Sequence, residues 1–285
     1  MEITASKVNE LRQKTGAGMM DCKKALVEAD GDFEKAIEIL RKKGAAVASK
    51  RAEKSANEGM VLTKISDDRR SGVMVEVNCE TDFVARSEDF INFSNFVLES
   101  AVLTSAQSRD EMILKNPSIS EKMSELMGKI GEKIEISRVT NEQTNNGFVI
   151  DYIHPGSKLG VLVIFDSLEN HKEEFAAIAK DIAMQVAAMK PLCVSRNEVP
   201  KEIVEKELDI YKELARKEGK PENILEKIAQ GKMNKFYQEN CLGEQAYIKD
   251  NTKTVNDLLK EFNSKNKTNV NLVRFKRFHL SDEKK

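Results

Sequence analysis

Cysteine is scarce in this sequence of 285 residues. The four cysteines, Cys22, Cys79, Cys193 and Cys241, lie far apart in the sequence and form no C-x-x-C pair. A disulfide framework and a zinc site are therefore not expected. This use of cysteine is typical of a protein from a reducing compartment.

Long apolar runs are also missing. No run approaches the ~20 apolar residues that a membrane-spanning helix needs, and residues 1–4 contain no basic stretch followed by an apolar core, so no signal peptide is expected. The formal net charge is −1, which gives no bulk attraction to nucleic acid or to a membrane surface. Together these absences predict a soluble cytoplasmic protein with neither a nucleic-acid partner nor a membrane partner.

Motifs for cofactors and metals do not occur either. The sequence has no G-x-x-x-x-G-K-[ST] loop and no G-x-G-x-x-G loop, and its histidines, His154, His171 and His279, lack the spacing of metal ligands. The 47 acidic residues are scattered at the spacing of salt bridges on helices. We therefore expect no cofactor and no metal, and predict that the chain is not an enzyme. An enzyme whose catalytic groups meet only in the folded structure is the alternative to this prediction.

Residues 1–55 predict a small bundle of three short helices. Val8 and Leu11 mark an apolar stripe on the first helix, and the glycines that follow interrupt it. A second apolar pattern runs over residues 19–29. Asp32 suits the N-cap of a third helix, which Gly44 would end. The polar stretch that follows predicts a linker.

The middle of the chain contains an internal repeat. In each copy an apolar segment is followed by a second apolar segment with a similar pattern, over residues 58–61 and 72–75 and again over residues 146–149 and 160–163. The glycine of the second segment lies thirteen residues after the glycine of the first in both copies. Each pair predicts two strands joined by a polar turn, and an amphipathic helix follows each pair. Late strands over residues 133–139 and 270–275 can close the two sheets. The predicted fold class is α+β, with a duplicated core of two small antiparallel sheets backed by helices.

The two copies differ in length at one connection. The first copy uses three more residues between Gly72 and Phe90 than the second copy uses between Gly160 and Phe175. The extra length falls around residues 79–86.

A long helical insertion precedes the last strand of the second copy. One leg carries an apolar stripe that includes Ile182, Val186 and Met189, and the other leg carries Ile203, Leu208, Tyr211 and Leu214. Pro191 and Pro200 bracket the connection between them. We expect these legs to form a protruding antiparallel helical hairpin.

These patterns divide the chain into five parts. We expect an N-terminal bundle over residues 1–55 and a first core subdomain over residues 56–140. A second core subdomain covers residues 141–182 and 231–278, and the helical hairpin inserted within it covers residues 183–230. Residues 279–285 form a short C-terminal tail.

The segment between the second strand and the helix of the first copy places an apolar ring in a polar setting. Phe83 follows Asp82 on this connection. Such a ring is either tucked under the loop as core or presented outward as an anchor for a partner. Because buried aromatic side chains outnumber exposed ones, the residue type alone favours the core interpretation.

Three segments of the chain resemble one protein family in order and spacing. They cover residues 10–26, which include TGAGMMDCKKAL, residues 76–86, EVNCETDFVAR, and residues 152–162, YIHPGSKLGVL. With them the chain resembles the bacterial translation elongation factors Ts from residue 1 to about residue 278. The family's plan of a ubiquitin-associated-type N-terminal bundle, a duplicated core and a helical hairpin for dimerisation agrees with the organisation described above.

The resemblance implies a function and a partner. Members of the family displace GDP from elongation factor Tu, the GTPase that delivers aminoacyl-tRNA. It implies that Thr81, Asp82, Phe83 and Val84 form a wedge that reaches the Mg²⁺ site of the GTPase, with Asp82 and Phe83 at its tip. It also implies a homodimer or a 2:2 complex through the helical hairpin.

Further contact residues follow from the same resemblance. His154 matches a histidine that contacts the nucleotide-binding domain of the GTPase, and Arg12, Met19, Met20 and Lys23 match the N-terminal surface that docks there. The residue types alone leave other interpretations open: His154 would serve as a plain turn residue, and the methionines would belong to the core of the bundle. Since Met19 and Met20 are adjacent on one helix, at least one of them should be exposed.

Two further expectations concern the function as a whole. A non-catalytic scaffold that binds its partner through the N-terminal bundle is the alternative to an exchange factor. Many relatives of this type continue after the closing strand into a further helical module, which is shortened or missing here. More of the partner contact would then fall on the bundle and the core.

Overall fold

Three helices form the N-terminal bundle in the computed structural model, which describes residues 3–282. Thr4 and Asp32 cap the first and third helices by accepting the N–H groups of Lys7 and Lys35. Leu11, Leu26 and other apolar side chains fill the bundle core. The three helices are α1 (Ala5–Thr15), α2 (Met19–Glu28) and α3 (Phe33–Arg51).

The prediction that Gly44 ends the third helix is wrong. Helix α3 continues through Gly44 to Arg51, so the predicted linker is also shorter than expected. A Cβ at position 44 would collide with the backbone carbonyl of Ser124, and the Cα of Gly128 lies beside it. Gly44 therefore allows α3 to cross a helix of the core closely instead of ending α3.

The first copy of the repeat forms a three-stranded antiparallel sheet with helices on one face. Alternate side chains of its central strand, from Val73 to Cys79, point into a core that those helices cover. The strand order is β1-β2-β3. The elements are β1 (Glu58–Ile65), β2 (Ser71–Cys79), α4 (Asp82–Ala85), α5 (Glu88–Thr104), α6 (Arg109–Lys115), α7 (Ser118–Ile130) and β3 (Ile134–Gln143).

The second copy repeats this arrangement. Its sheet has the order β4-β5-β8, its long helix α8 covers one face, and Phe175 lies at the centre of the core between them. The elements are β4 (Phe148–Ile153), β5 (Leu159–Asp166), α8 (Lys172–Met189), α9 (Lys201–Lys217), α10 (Glu222–Asn240), β6 (Ala246–Tyr247), β7 (Asp250–Thr254), α11 (Val255–Asn266) and β8 (Asn271–His279). The predicted α+β class and the duplicated core are confirmed.

The two sheets pack against each other through their inner faces. Met74 and Val61 of the first sheet meet Leu162 and Val149 of the second. A Cβ at Gly160 would meet side-chain atoms of Val61 and Met74, so the missing side chain lets the sheets approach. The order of layers is helices, sheet, sheet, helices.

A helical hairpin is present, but the sequence assigned one of its legs wrongly. Helix α9 packs on α10, with the turn at Gly219, rather than on α8. Ile182 and Val186 of α8 are buried against the second sheet. An apolar stripe in the sequence shows which face of a helix will be buried, but it does not show which element will cover that face. In α8 the second sheet covers the apolar face.

Residues near the C-terminus pack into the core. Strand β8 runs to His279, beyond the predicted end of the late strand, and Leu280 is buried between the two sheets. The tail predicted over residues 279–285 therefore begins within β8, and residues 283–285 lie outside the described residues.

Two cysteines that are distant in sequence meet beside the hairpin. The sulfur atoms of Cys193 and Cys241 are 3.8 Å apart, and both thiols are reduced.

Among residues 3–282, none of the helices combines the length and the apolar character that a bilayer crossing requires.

Candidate functional site

The loop of residues 81–86 folds as a single helical turn, α4, at the end of β2. Eight residues, 80–87, separate β2 from α5, whereas five residues, 167–171, separate β5 from α8. The extra length predicted from the repeat is thus this turn. Thr81 is its N-cap, with its hydroxyl oxygen 3.4 Å from the N–H of Val84. The backbone N–H of Ala85 donates to the carbonyl of Thr81 at 3.1 Å.

Phe83 projects from this turn into solvent. Its side chain is 84% exposed, and among the phenylalanines and tyrosines in the described part of the chain it is the only exposed one. Ala85 is buried and Val84 packs against the core of the first sheet. The core interpretation of Phe83 is therefore wrong, and the loop has a buried base and an apolar tip.

Asp82 lies beside Phe83 with its carboxylate accessible. It forms an ion pair with Arg86, four residues along, at 2.8 Å. Both side chains are substantially exposed, and such surface pairs contribute little to stability because solvent screens them. Asp82 can exchange this partner for another at small cost.

Residues that the sequence did not single out hold the loop. The Glu132 carboxylate accepts the backbone N–H of Thr81 at 3.1 Å and its hydroxyl at 2.8 Å. The Glu80 carboxylate accepts two hydrogen bonds from Arg51, at 2.8 and 3.0 Å, and one from the backbone N–H of Lys133, at 2.7 Å. These partners are 29 to 53 residues apart in sequence, so no local pattern could have revealed them.

The electrostatics of this region keep Glu80 ionised. Burial acts to raise the pKa of Glu80, but the Lys133 N–H and the Arg51 guanidinium outweigh it and lower the pKa below its ordinary value. Burial, reinforced by the charges of Glu132 and Glu58, raises the pKa of the neighbouring Cys79 thiol to about 12. Cys79 is therefore a neutral core side chain and not a nucleophile.

His154 occupies an exposed turn on the second copy. It begins the four-residue turn to Ser157, in which Gly156 has a φ of 91° and the Ser157 N–H donates to the His154 carbonyl at 2.9 Å. The hydroxyl of Tyr152 lies 3.0 Å from His154 Nδ1. His154 is thus a turn residue, as the residue type alone indicated, and its ring is also accessible to a partner.

The turn of His154 and the 81–86 loop lie at the same end of the molecule. Lys158, just after the turn, forms an ion pair with Glu58 at 2.6 Å. Glu58 pairs in the sheet with Cys79, the last residue of β2 and two positions before the loop. The structure therefore places these two predicted contact regions near each other, although 68 positions separate Arg86 from His154 in the sequence.

The N-terminal bundle presents an apolar patch on α2. Met19 and Met20 are 55% and 64% exposed, because α2 buries its opposite face, which carries Cys22, Ala25 and Leu26. The interpretation of the methionines as bundle core is wrong for both. Arg12 and Lys23 are also exposed.

One residue of this patch was missed from the sequence. Val27 is 58% exposed and lies seven positions after Met20, on the same face of α2. The spacing of seven residues from Met20, which is two turns of a helix, was the signal in the sequence that could have found it. Within residues 3–282, no group of three or more histidine, cysteine, aspartate or glutamate side chains is placed to hold a metal ion.

Comparison with known proteins gives a consistent family. Residues 80–282 match the family model described as Elongation factor TS. The chain is 46% identical to elongation factor Ts of Chlorobaculum parvum over 286 residues, covering 98% of this chain and 99% of that one. It is 47% identical to elongation factor Ts of Prosthecochloris aestuarii with the same coverage. It is 44% identical to elongation factor Ts of Clostridium botulinum over 285 residues, covering 98% and 93% of the two chains. The chain therefore belongs to the elongation factor Ts family and is a translation elongation factor.

Proposed function

We propose that this protein is a guanine-nucleotide exchange factor that binds elongation factor Tu with GDP and promotes GDP release. The observation that carries the proposal is Phe83, an apolar ring 84% exposed on a loop with a buried base. A large exposed ring on a fixed loop has little side-chain entropy to lose on binding, so it suits insertion between elements of a partner.

Asp82 and Phe83 form the tip of the wedge, and Thr81 and Val84 form its base. Phe83 inserts between helices of the GTPase, and Asp82 disturbs the polar contacts beside its Mg²⁺. Mg²⁺ is a large local charge that holds the phosphates of the nucleotide. Displacement of this Mg²⁺ weakens the affinity of the GTPase for GDP. Because this mechanism needs no chemical step on the present chain, the protein acts as an exchange factor and not as an enzyme.

The patch on α2 docks on the nucleotide-binding domain of the same GTPase. Met19 and Met20 supply adaptable apolar contact, and Arg12 and Lys23 supply charge at its rim. His154 makes a further contact from the second copy. The proximity of the His154 turn to the 81–86 loop supports one continuous contact region. The protein would act in the cytoplasm during translation elongation.

Exchange requires a coupling that a passive scaffold lacks. If the factor lowers the affinity of the GTPase for GDP, then GDP must lower the affinity of the GTPase for the factor by the same ratio. We expect the dissociation constant of the complex, measured by calorimetry, to rise steeply as GDP is added. A dissociation constant independent of GDP would contradict exchange and would support a scaffold that binds through the N-terminal bundle.

The hairpin of α9 and α10 is proposed as the dimerisation element, giving a homodimer or a 2:2 complex with the GTPase. Ile210, Leu214 and Ile224 are 37% to 44% exposed on its surface, and burial of these side chains against a second copy would remove them from water. Light scattering is expected to give twice the 32.1 kDa mass of the chain, and the double substitution Ile210→Asp with Leu214→Asp is expected to return it to one chain mass. A single chain mass for the wild type would contradict this role.

A further inference from the structure

Two carboxylates, those of Glu80 and Glu132, join the base of the 81–86 loop to the segment that follows α7, and together with Thr81 and Lys133 they are called the clasp. Glu132, which follows α7, accepts both the backbone N–H and the hydroxyl of Thr81. In return Glu80, which precedes the loop, accepts the backbone N–H of Lys133 at 2.7 Å. Each segment thus gives one carboxylate and one N–H to the other. Such reciprocal, charge-assisted hydrogen bonds fix the relative position of the two segments.

The hydroxyl of Thr81 transmits this order to the turn that carries Phe83. Because the hydroxyl donates its hydrogen to Glu132 Oε1 at 2.8 Å, its lone pairs remain available for the N–H of Val84 at 3.4 Å. Helix α4 has four residues, and a helix this short does not form without tertiary support because nucleation is unfavourable. Glu132 therefore orients the cap on which the direction of Phe83 depends.

The clasp also reaches the N-terminal bundle. Arg51, the last residue of α3, donates to both oxygens of Glu80. The ammonium of Lys133 donates to the carbonyl of Ala52, just after α3, at 3.0 Å. The bundle that carries the docking patch and the loop that carries Phe83 are thus joined through the same set of side chains.

The burial of the clasp makes these bonds effective. The side chain of Glu80 is 16% exposed, and Glu132 is half-buried. Water competes weakly for such groups, and the local dielectric constant is lower than in solvent, so the charged hydrogen bonds are stronger than surface ion pairs.

We propose that Glu132 is a positioning residue for nucleotide exchange: through Thr81 it holds Phe83 in the direction that insertion requires, while Glu80 and Arg51 keep the loop in register with the docking bundle. This inference rests on the proposed function. Glu132 acts on the rate of GDP release through Phe83, and not on the affinity of docking, since its hydrogen bonds go to Thr81 of the loop, whereas the link to the bundle runs through Glu80 and Lys133.

The test measures release of fluorescently labelled GDP from elongation factor Tu at increasing concentrations of this protein. We expect Glu132→Ala to lower the release rate at saturation by about tenfold, as for the loss of a hydrogen bond to a charged group, and to leave the half-saturating concentration unchanged. The matched control is Glu121→Gln, which changes an exposed glutamate of the neighbouring helix α7 and should behave as the wild type. If Glu132→Ala lowers the melting temperature of the protein, the same release rates are measured with Glu132→Gln, which preserves the volume of the side chain.

The double variant Phe83→Ala with Glu132→Ala separates positioning from general stability. If Glu132 acts through Phe83, the double variant releases GDP as fast as Phe83→Ala alone. If the double variant lost the product of the two single-variant rate reductions, or if the Glu132 variant kept the wild-type saturating rate, this inference would be overturned. A slow release of GDP with Phe83→Ala would in that case leave the proposed function intact. No acceleration by the wild type would overturn both.

Discussion

Replacing Phe83 with alanine is expected to lower the saturating rate of GDP release from elongation factor Tu by about 30-fold, the equivalent of about 2 kcal/mol for an aromatic anchor. The ring is 84% exposed in the free protein and is not part of the core. Its removal should therefore leave the melting temperature unchanged. Stopped-flow measurement of labelled GDP, together with thermal unfolding of both proteins, checks both parts.

Leu103→Ala is the matched control for this substitution. Leu103 is also 84% exposed, but it lies near the far end of α5, roughly 20 Å along the helix axis from the loop. It removes a comparable exposed apolar side chain at a site outside the proposed contact region and should release GDP at the wild-type rate. Equal defects in the two variants would show that the effect of Phe83→Ala does not come from a wedge.

The double substitution Met19→Ala with Met20→Ala is expected to act on docking instead. Both side chains are more than half exposed on α2, and their burial against a partner would stabilise the complex by about 1 kcal/mol each. The concentration of this protein that gives half-maximal GDP release should rise by about 30-fold, while the rate at saturation stays close to that of the wild type.

The control for this pair is Leu103→Ala with Leu114→Ala, which also removes two exposed apolar side chains. It should leave the half-maximal concentration unchanged. If the methionine pair lowered the saturating rate without shifting that concentration, the patch on α2 would act in release and not in docking, against the division of roles proposed here.

Local patterns predicted the elements of this fold well. The strands and helices of the repeat follow from short apolar periods, and the three extra residues before Phe90 pointed to the turn that carries Phe83. The residue type alone favoured a buried Phe83, because aromatic side chains are more often buried than exposed. That general tendency carries no information on one particular loop.

Features that depend on distant partners could not be predicted in the same way. In the sequence Gly44 suggests the end of a helix, whereas in the structure it makes room for Ser124 and Gly128. The sequence assigns Ile182 to one leg of a hairpin, whereas in the structure it packs against the second sheet. The bonds of Glu132 to Thr81 span 51 residues, and an isolated glutamate in a polar connection carries no mark of such a role.

Release of labelled GDP from purified elongation factor Tu, timed with and without this protein, tests the central claim most directly. The exchange mechanism predicts that the release rate rises with the concentration of this protein and then saturates, because the complex with a weakened GDP site becomes fully populated. A release rate that is the same with and without this protein, under conditions where the two proteins form a complex, would contradict it.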